Sequence, residues 1–207
     1  MVARTKAFDP EEVLSRALGI FGTQGYEGTS LPDLLKGLGI ARQSLYDTYG
    51  TKRELFLAAV QFYMNRKQAD IVELFREPGG AEERIRQAFG EIVSALSDPQ
   101  QRQDCFIISS AIEYMPHDEE LNAYMQANQL DVEKAFYDLL ERGRAAGELR
   151  ADADLERLSL FLAHERNALV LTGKMGADRT KLEAVAETAL SVLRWQRAAG
   201  SGADRAE

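Results

Sequence analysis

The chain has very little of what builds disulfides, zinc sites or catalytic sets. Among 207 residues there are one cysteine and two histidines. Cys105 alone cannot form an internal disulfide, and no paired Cys/His spacing of a zinc site is visible. No Ser-His-Asp set or phosphate-binding loop is visible either. The sequence therefore predicts no metal, no cofactor and no enzyme, and it favours a reducing compartment.

Long apolar runs are also absent. No stretch approaches the ~18 apolar residues of a membrane span, and the first residues lack the apolar centre of a signal peptide. We therefore expect a cytoplasmic protein without a membrane partner.

Excess basic charge is missing as well, since the formal net charge is -8. Residues 1–55 nevertheless carry equal numbers of acidic and basic side chains, so the whole excess lies in residues 56–207. Because nucleic acids respond to the local field, this balance permits a DNA partner near the N-terminus without identifying one.

What the sequence does contain is helical periodicity, with no sustained alternation typical of strands. The predicted fold class is therefore all-α. Pro78-Gly79-Gly80 is the clearest interruption, and the residues after Ala199 are expected to be a disordered tail, 200–207. The predicted helices cover about 9–24, 30–38, 41–47, 51–76, 81–97, 104–115, 118–146, 152–173 and 178–198.

Helix starts near the N-terminus have capping patterns. Asp9 precedes Pro10 and two glutamates, Ser30 stands three residues before Asp33, and Thr51 stands three residues before Glu54. Hydroxyl or carboxylate oxygens at such positions accept hydrogen bonds from free backbone amides. These patterns predict where the first, second and fourth helices begin.

Two short helices joined by a glycine-containing turn have the form of a helix-turn-helix. A recognition helix enters the major groove end first, so its leading side chains read bases while its other face packs on the scaffold. Arg42, Gln43 and Ser44 lead the third predicted helix, and Leu45 is expected to face inward. On the helix pattern alone, a merely solvated face explains the three polar residues equally well.

The segment LPDLLKGLGIARQSLYDTYGTKRELFLAAV resembles the DNA-binding signature of the tetracycline-repressor (TetR) family, over roughly residues 8–63. Its most specific parts are Gly39-Ile40, Ser44-Leu45-Tyr46, Tyr49, and Lys52 with Leu55-Phe56. The resemblance implies a three-helix helix-turn-helix domain over residues 1–55. It also implies a larger helical ligand-binding and dimerisation domain over residues 56–199.

The resemblance further implies DNA contacts, with Arg42, Gln43 and Ser44 on bases or nearby phosphates and Tyr46 and Lys52 on the backbone. Lys52 also lies in the first turn of a helix, where free amides favour an anion. Three other interpretations stay open. Ser30 or Thr29 donates to a phosphate, or Ser30 only caps its helix. Tyr46 is a packing residue and does not contact the DNA backbone. Tyr49 belongs to the core and does not contact DNA.

Some residues depart from the family pattern. Asp47 would repel phosphate, so it points away, accepts a hydrogen bond from cytosine, or lowers affinity, and we favour the first. Gln43 and Thr48 stand where many members have glycine and histidine. The operator sequence therefore does not carry over from a relative.

In this family the last two helices pair with those of a second copy, so we expect a homodimer. The apolar stripes on these helices suit either that seam or the core of one subunit. The stripes consist of Leu155, Leu158, Leu162, Leu169, Ala186, Ala189, Leu190 and Leu193.

A set of aromatic and polar residues in the larger domain has the composition of a small-ligand pocket, although such side chains also build ordinary cores. His164 and Asn167 are equally a satisfied polar pair. Cys105 is either a buried inert thiol or a sensor of electrophiles. The candidate pocket residues are Phe89, Cys105, Phe106, Tyr114, Phe136, His164 and Asn167.

Together these observations predict a ligand-responsive transcriptional regulator, by default a repressor. As a dimer it would bind a palindromic operator in double-stranded DNA and be released by an unidentified small-molecule effector. The alternatives are a helical protein-interaction module that does not bind DNA and a small helical enzyme.

Overall fold

The computed structural model describes residues 8–99 and 101–194, and this part of the chain is helical without a β-strand. The all-α prediction is confirmed. The predicted tail and the end of the last predicted helix lie outside the described residues. The helices are α1 (Pro10–Gln24), α2 (Leu31–Leu38), α3 (Arg42–Tyr49), α4 (Lys52–Arg76), α5 (Ala81–Ser97), α6 (Gln101–Cys105), α7 (Ile107–Tyr114), α8 (Glu119–Ala145), α9 (Leu155–Lys174) and α10 (Arg179–Arg194).

The predicted caps are present. The Asp9 carboxylate accepts from the Glu11 amide at 2.9 Å, and the Ser30 hydroxyl accepts from the Asp33 amide at 3.2 Å. Thr51 and Glu54 form a reciprocal capping box, with N···O distances of 2.6 and 3.3 Å. These helix starts were therefore predictable from local hydrogen-bonding chemistry.

One predicted helix, 104–115, was wrong, because the structure has α6 and α7 there with a break at Phe106. The Gln103 carbonyl next to this break lies against α1, where a Cβ at Gly22 would come within 2.2 Å of the carbonyl oxygen. The Ser110 hydroxyl on α7 also donates to the Phe21 carbonyl at 2.8 Å. Close tertiary packing against α1 therefore accompanies the break.

The chain divides into two compact units. Among the described residues, unit 1 comprises 8–66, 99 and 101–122, and unit 2 comprises 67–98 and 123–194. In unit 1, α1 packs on α2, α6 and α7, and in unit 2, α5, α9 and α10 pack together. The predicted functional boundary between residues 55 and 56 falls inside α4 and stays a prediction.

Candidate nucleic-acid interface

Helices α2 and α3 form the predicted pair of short helices. Gly39 ends α2 in the left-handed conformation, with φ 70° and ψ 26°, which residues with a Cβ adopt at a cost. The chain then reaches Ala41, the N-cap of α3, within two residues. Leu34, Leu38 and Leu45 are fully buried and anchor both helices to the core of unit 1.

The leading polar residues of α3 face outward, as predicted. Arg42 and Gln43 are exposed, Ser44 is half-buried, and Leu45 on the opposite side is sealed in the core. The Tyr46 side chain is 44% exposed, so it is not a core residue. Unit 1 therefore presents an accessible α3 surface on a firmly packed scaffold.

Asp47 lies beside Gln43 on the exposed surface of α3, and its expected orientation away from DNA phosphates stays a prediction. Its carboxylate accepts a hydrogen bond from the Gln43 amide nitrogen, Nε2, at 2.7 Å. Residues four apart on a helix share a face, so Asp47 and Gln43 lie side by side and both are exposed. A partner that contacts Gln43 therefore lies close to Asp47.

Tyr49 is half-buried, not fully buried in the core, and it joins two helices through a hydrogen bond. Its hydroxyl donates to the Pro10 carbonyl at 2.7 Å and ties the end of α3 to the start of α1. Burial, with a smaller contribution from Asp9, raises the pKa of Tyr49. The residue thus helps to set the position of α3.

Lys52 is largely engaged inside the protein. Its ammonium donates to the carbonyls of Tyr26 and Thr29, both at 2.9 Å, and lies 4.2 Å from the centre of the Tyr26 ring. An ammonium has three N–H groups, so at most one is left for a phosphate. The main structural role of Lys52 is to hold the α1–α2 loop against the start of α4.

Neither hydroxyl at the start of α2 is a free phosphate donor. Thr29 is fully buried and its hydroxyl donates to the Gly25 carbonyl at 2.6 Å, so its suggested phosphate contact was wrong. The Ser30 hydroxyl donates to the Asp33 carboxylate at 2.5 Å while capping the helix. Ser30 therefore caps α2, which was the second of its two predicted roles.

An aromatic cluster lies behind the loop that Lys52 holds. Tyr26 packs at a tilt against Tyr114 with ring centres 4.0 Å apart, and Phe56 contacts Phe21 at 5.0 Å and Tyr26 at 4.9 Å. Burial and then a hydrogen bond with Tyr114 raise the pKa of Tyr26 to about 12. Tyr114, a candidate pocket residue, thus takes part in the core that supports the helix-turn-helix.

Sequence reasoning missed an ion-pair cluster centred on Arg53. The guanidinium donates to both carboxylate oxygens of Asp118, at 2.6 and 2.8 Å, and to Glu120 at 2.9 Å. Asp118 is buried and caps α8 by accepting from the Leu121 amide at 3.0 Å. The hydrogen bond from Arg53 is the main cause that lowers the pKa of Asp118. No local signal links residues 65 positions apart in the chain.

The candidate pocket residues of unit 1 are Cys105, Phe106 and Tyr114. Cys105 is buried and Phe106 is half-buried. In unit 2, Phe89 and Phe136 are fully buried, and Phe136 packs edge-on against Phe75 at 5.0 Å. The role of these residues as ligand contacts stays a prediction.

His164 and Asn167, the most pocket-like pair, belong to a polar group on α8 and α9. Asn167 donates to Gln129 at 3.1 Å, and the same Gln129 amide lies 3.3 Å from His164 Nδ1. Glu133 lies 3.8 Å from that nitrogen. His164 is exposed, so the arrangement is a partnered surface cluster within unit 2.

The apolar stripes predicted on the last two helices turn out to belong to the core of one subunit, since all eight side chains are buried. A different set, on α9 and its C-cap residue Met175, is exposed instead. Leu171 and Met175 are 54% and 73% exposed, with Leu160 and Phe161 at 49% and 38%. This exposed apolar face of α9 is available for a partner.

Metal sites and membrane spans do not occur among the described residues. In the part of the chain that the structure describes, no three His, Cys, Asp or Glu side chains form a group suited to a metal ion. Within the same residues, no helix is both long and apolar enough to cross a membrane.

Two family models match the chain. The model for bacterial regulatory proteins of the tetR family matches residues 13–59, and that for the tetracyclin repressor-like C-terminal domain matches residues 81–189. The chain belongs to the TetR family. The predicted family and its arrangement of an N-terminal helix-turn-helix with a helical C-terminal domain are thereby confirmed, and the chain is a TetR-family transcriptional regulator.

Relatives of this TetR-family regulator match along most of their length. The uncharacterized HTH-type transcriptional regulator YezE of Bacillus subtilis is 48% identical, over 93% of this chain and all of the relative. The HTH-type transcriptional repressor ComR of Escherichia coli is 27% identical, over 90% of each chain.

Solved TetR-family structures have the same fold. The regulator CifR, as a cysteine mutant complexed with 26-bp double-strand operator DNA, superposes with a TM-score of 0.81. It is 30% identical, over 91% of this chain and 98% of CifR. A TetR transcriptional regulator from Chloroflexus aurantiacus, 21% identical, has a TM-score of 0.76 over 91% and 96% of the two chains.

Proposed function

We propose that this TetR-family regulator binds a palindromic operator in double-stranded DNA as a homodimer, and that it represses transcription. The supporting observation is the exposed start of α3, where Arg42 and Gln43 project while Leu45 anchors the helix. Arginine can fork onto guanine and glutamine can pair with adenine, so this end suits direct readout. The operator complex of CifR and the repressor ComR support the same proposal.

A dimer follows from the geometry of DNA. One eight-residue recognition helix reads few bases, whereas two related by a dyad reach successive major grooves ~34 Å apart. The exposed apolar face of α9 supports pairing of the last two helices with those of a second copy. We place this regulator in the cytoplasm, where it has access to DNA, and expect no enzymatic turnover.

A small molecule is the proposed signal, bound in the larger domain without a further cofactor. Helix α4 begins at Lys52, soon after α3 ends at Tyr49, which supports coupling between a shift of α4 and the position of α3. Ligand would shift α4 and change the separation of the two recognition helices, so that DNA affinity falls. Couplings of ~1–3 kcal/mol are usual, and a nearly complete switch requires ~5.5 kcal/mol.

The test is binding of the purified full chain to the DNA upstream of its own gene over a range of salt concentrations. We expect affinity to fall steeply with salt, and Arg42→Ala and Gln43→Ala to weaken specific binding by about fivefold or more each. Lys134→Ala, at an exposed position of α8 outside the proposed dimer interface, is the control that should bind normally. Absent or salt-insensitive binding would instead favour a protein-interaction module.

A further inference from the structure

Gln43 and its neighbour Asp47 form one hydrogen-bonded unit on the exposed face of α3. The Gln43 amide has two N–H groups and one carbonyl oxygen, and one N–H is committed to Asp47 at 2.7 Å. Turning the amide over would place its carbonyl oxygen against a carboxylate, two acceptors facing each other. The pair therefore favours one orientation of the Gln43 amide.

That orientation leaves one N–H and the carbonyl oxygen of Gln43 for a partner. Adenine offers the matching edge in the major groove, the N7 acceptor beside the N6 amino donor. Guanine offers two acceptors, N7 and O6, and would need both N–H groups of the amide. The carboxylate, which only accepts, also repels acceptors beside it.

The charge of Asp47 destabilises α3 itself. It lies in the last turn of the helix, where the partial negative charge of the helix end opposes a carboxylate, and that turn contains no basic residue. Its side chain is exposed. The hydrogen bond from Gln43 is thus a favourable interaction of the Asp47 side chain.

We propose that Asp47 is a specificity-determining residue of the DNA interface, which orients the Gln43 amide for adenine and disfavours guanine at the same base pair. The inference rests on the proposed function, because it requires α3 to read bases. It replaces the expectation that Asp47 stays clear of the DNA.

The test compares base preferences in DNA selected from a randomised pool by the full chain and by its variants. Gln43→Ala first identifies the base pair that Gln43 reads. At that pair, we expect Asp47→Ala to reduce the preference for adenine over guanine by about fivefold or more. Affinity for random DNA should rise, because a charge that repels phosphate is gone. Asp47→Asn keeps an acceptor for Gln43 but adds a donor, so it should lose less adenine preference.

The control for net charge is Asp138→Asn, since Asp138 is paired with Lys134 on α8 and lies outside α3. It removes the same charge and should leave base preferences unchanged. In the double variant Gln43→Ala/Asp47→Ala, the loss of preference should match that of Gln43→Ala alone, because the two residues act together.

Three outcomes would overturn the inference. If the wild-type protein fails to bind its upstream DNA, the proposed function and the inference both fail. If wild type binds and Asp47→Ala keeps the same adenine preference, only the role of Asp47 fails. If Asp138→Asn changes base preferences as Asp47→Ala does, net charge is the cause. Circular dichroism of each variant checks that the helices are retained.

Discussion

At the scale of single residues, Lys52 holds the α1–α2 loop against the start of α4. Its place in the first turn of α4 suits an anion, yet its ammonium contacts two backbone carbonyls and the Tyr26 ring. The α1–α2 loop brings these groups together, and no spacing rule relates residues 26 and 52. The side chain therefore has a structural role that sequence reasoning did not include.

Replacing Lys52 by alanine should lower the free energy of unfolding by about 1–3 kcal/mol, because two hydrogen bonds from a charged, half-buried group are lost. Urea unfolding followed by circular dichroism measures the change. Lys181→Ala removes an exposed lysine on α10 and should change stability by no more than about 0.5 kcal/mol. Equal effects of the two substitutions would contradict the structural role of Lys52.

At the scale of helices, the break between α6 and α7 and the Arg53 ion-pair cluster both lie in unit 1. Residues 101–122 fold with the N-terminal helices, so the support of the helix-turn-helix includes a segment from the middle of the chain. Arg53 at the start of α4 binds Asp118, which caps α8. The starts of two long helices are thereby joined within unit 1.

This ion pair predicts a pH dependence. The pKa of Asp118 is lower in the folded protein than its ordinary value, so the ionised carboxylate stabilises the fold above the unfolded-state pKa of about 3.9. That contribution is lost as the pH falls through the folded-state pKa. Asp118→Asn, which keeps an oxygen for the cap, should therefore be less stable than wild type at pH 7 and approach it below about pH 4.

Unfolding by urea at a series of pH values measures this difference. Asp138→Asn serves as the matched control, because Asp138 is an exposed carboxylate whose ion pair with Lys134 lies along one helix. A difference between wild type and Asp118→Asn that stays constant from pH 7 to pH 3 would show that the charge of Asp118 does not stabilise the fold.

At the scale of the whole molecule, burial separates the core residues of α9 and α10 from the exposed apolar residues, which we assign to the proposed dimer interface. The leucines and alanines of the predicted stripes on α9 and α10 are used inside the subunit. Leu160, Phe161, Leu171 and Met175 remain exposed along α9 and its C-cap, as a self-complementary interface requires.

Charging this face should separate the proposed dimer. We expect Leu171→Glu to weaken dimerisation by about 30-fold or more, as for a central interface residue worth about 2 kcal/mol, and to weaken operator binding with it. Leu130→Glu is the control, since Leu130 is 64% exposed on α8 and not on α9. Analytical ultracentrifugation gives the dimer dissociation constant. An unchanged constant for Leu171→Glu would place the dimer interface elsewhere.

The sequence by itself determined the helical class, the helix starts capped by Asp9, Ser30 and Thr51, and the exposed leading side chains of α3. All of these depend on contacts within a few residues, where hydrogen-bonding chemistry and a period of 3.6 residues are sufficient. The family was also evident from residues at fixed offsets around α3.

Only the tertiary structure decided which partners distant residues have. In the folded protein Lys52 donates a hydrogen bond to the α1–α2 loop and Arg53 pairs with Asp118. The ring of Tyr114 packs against that of Tyr26. The tertiary structure also assigned the apolar stripes of α9 and α10 to the subunit core. The physical reason is that polarity and the helical period limit which face of a helix a side chain occupies. The residues that this face contacts depend on how helices far apart in the chain pack together.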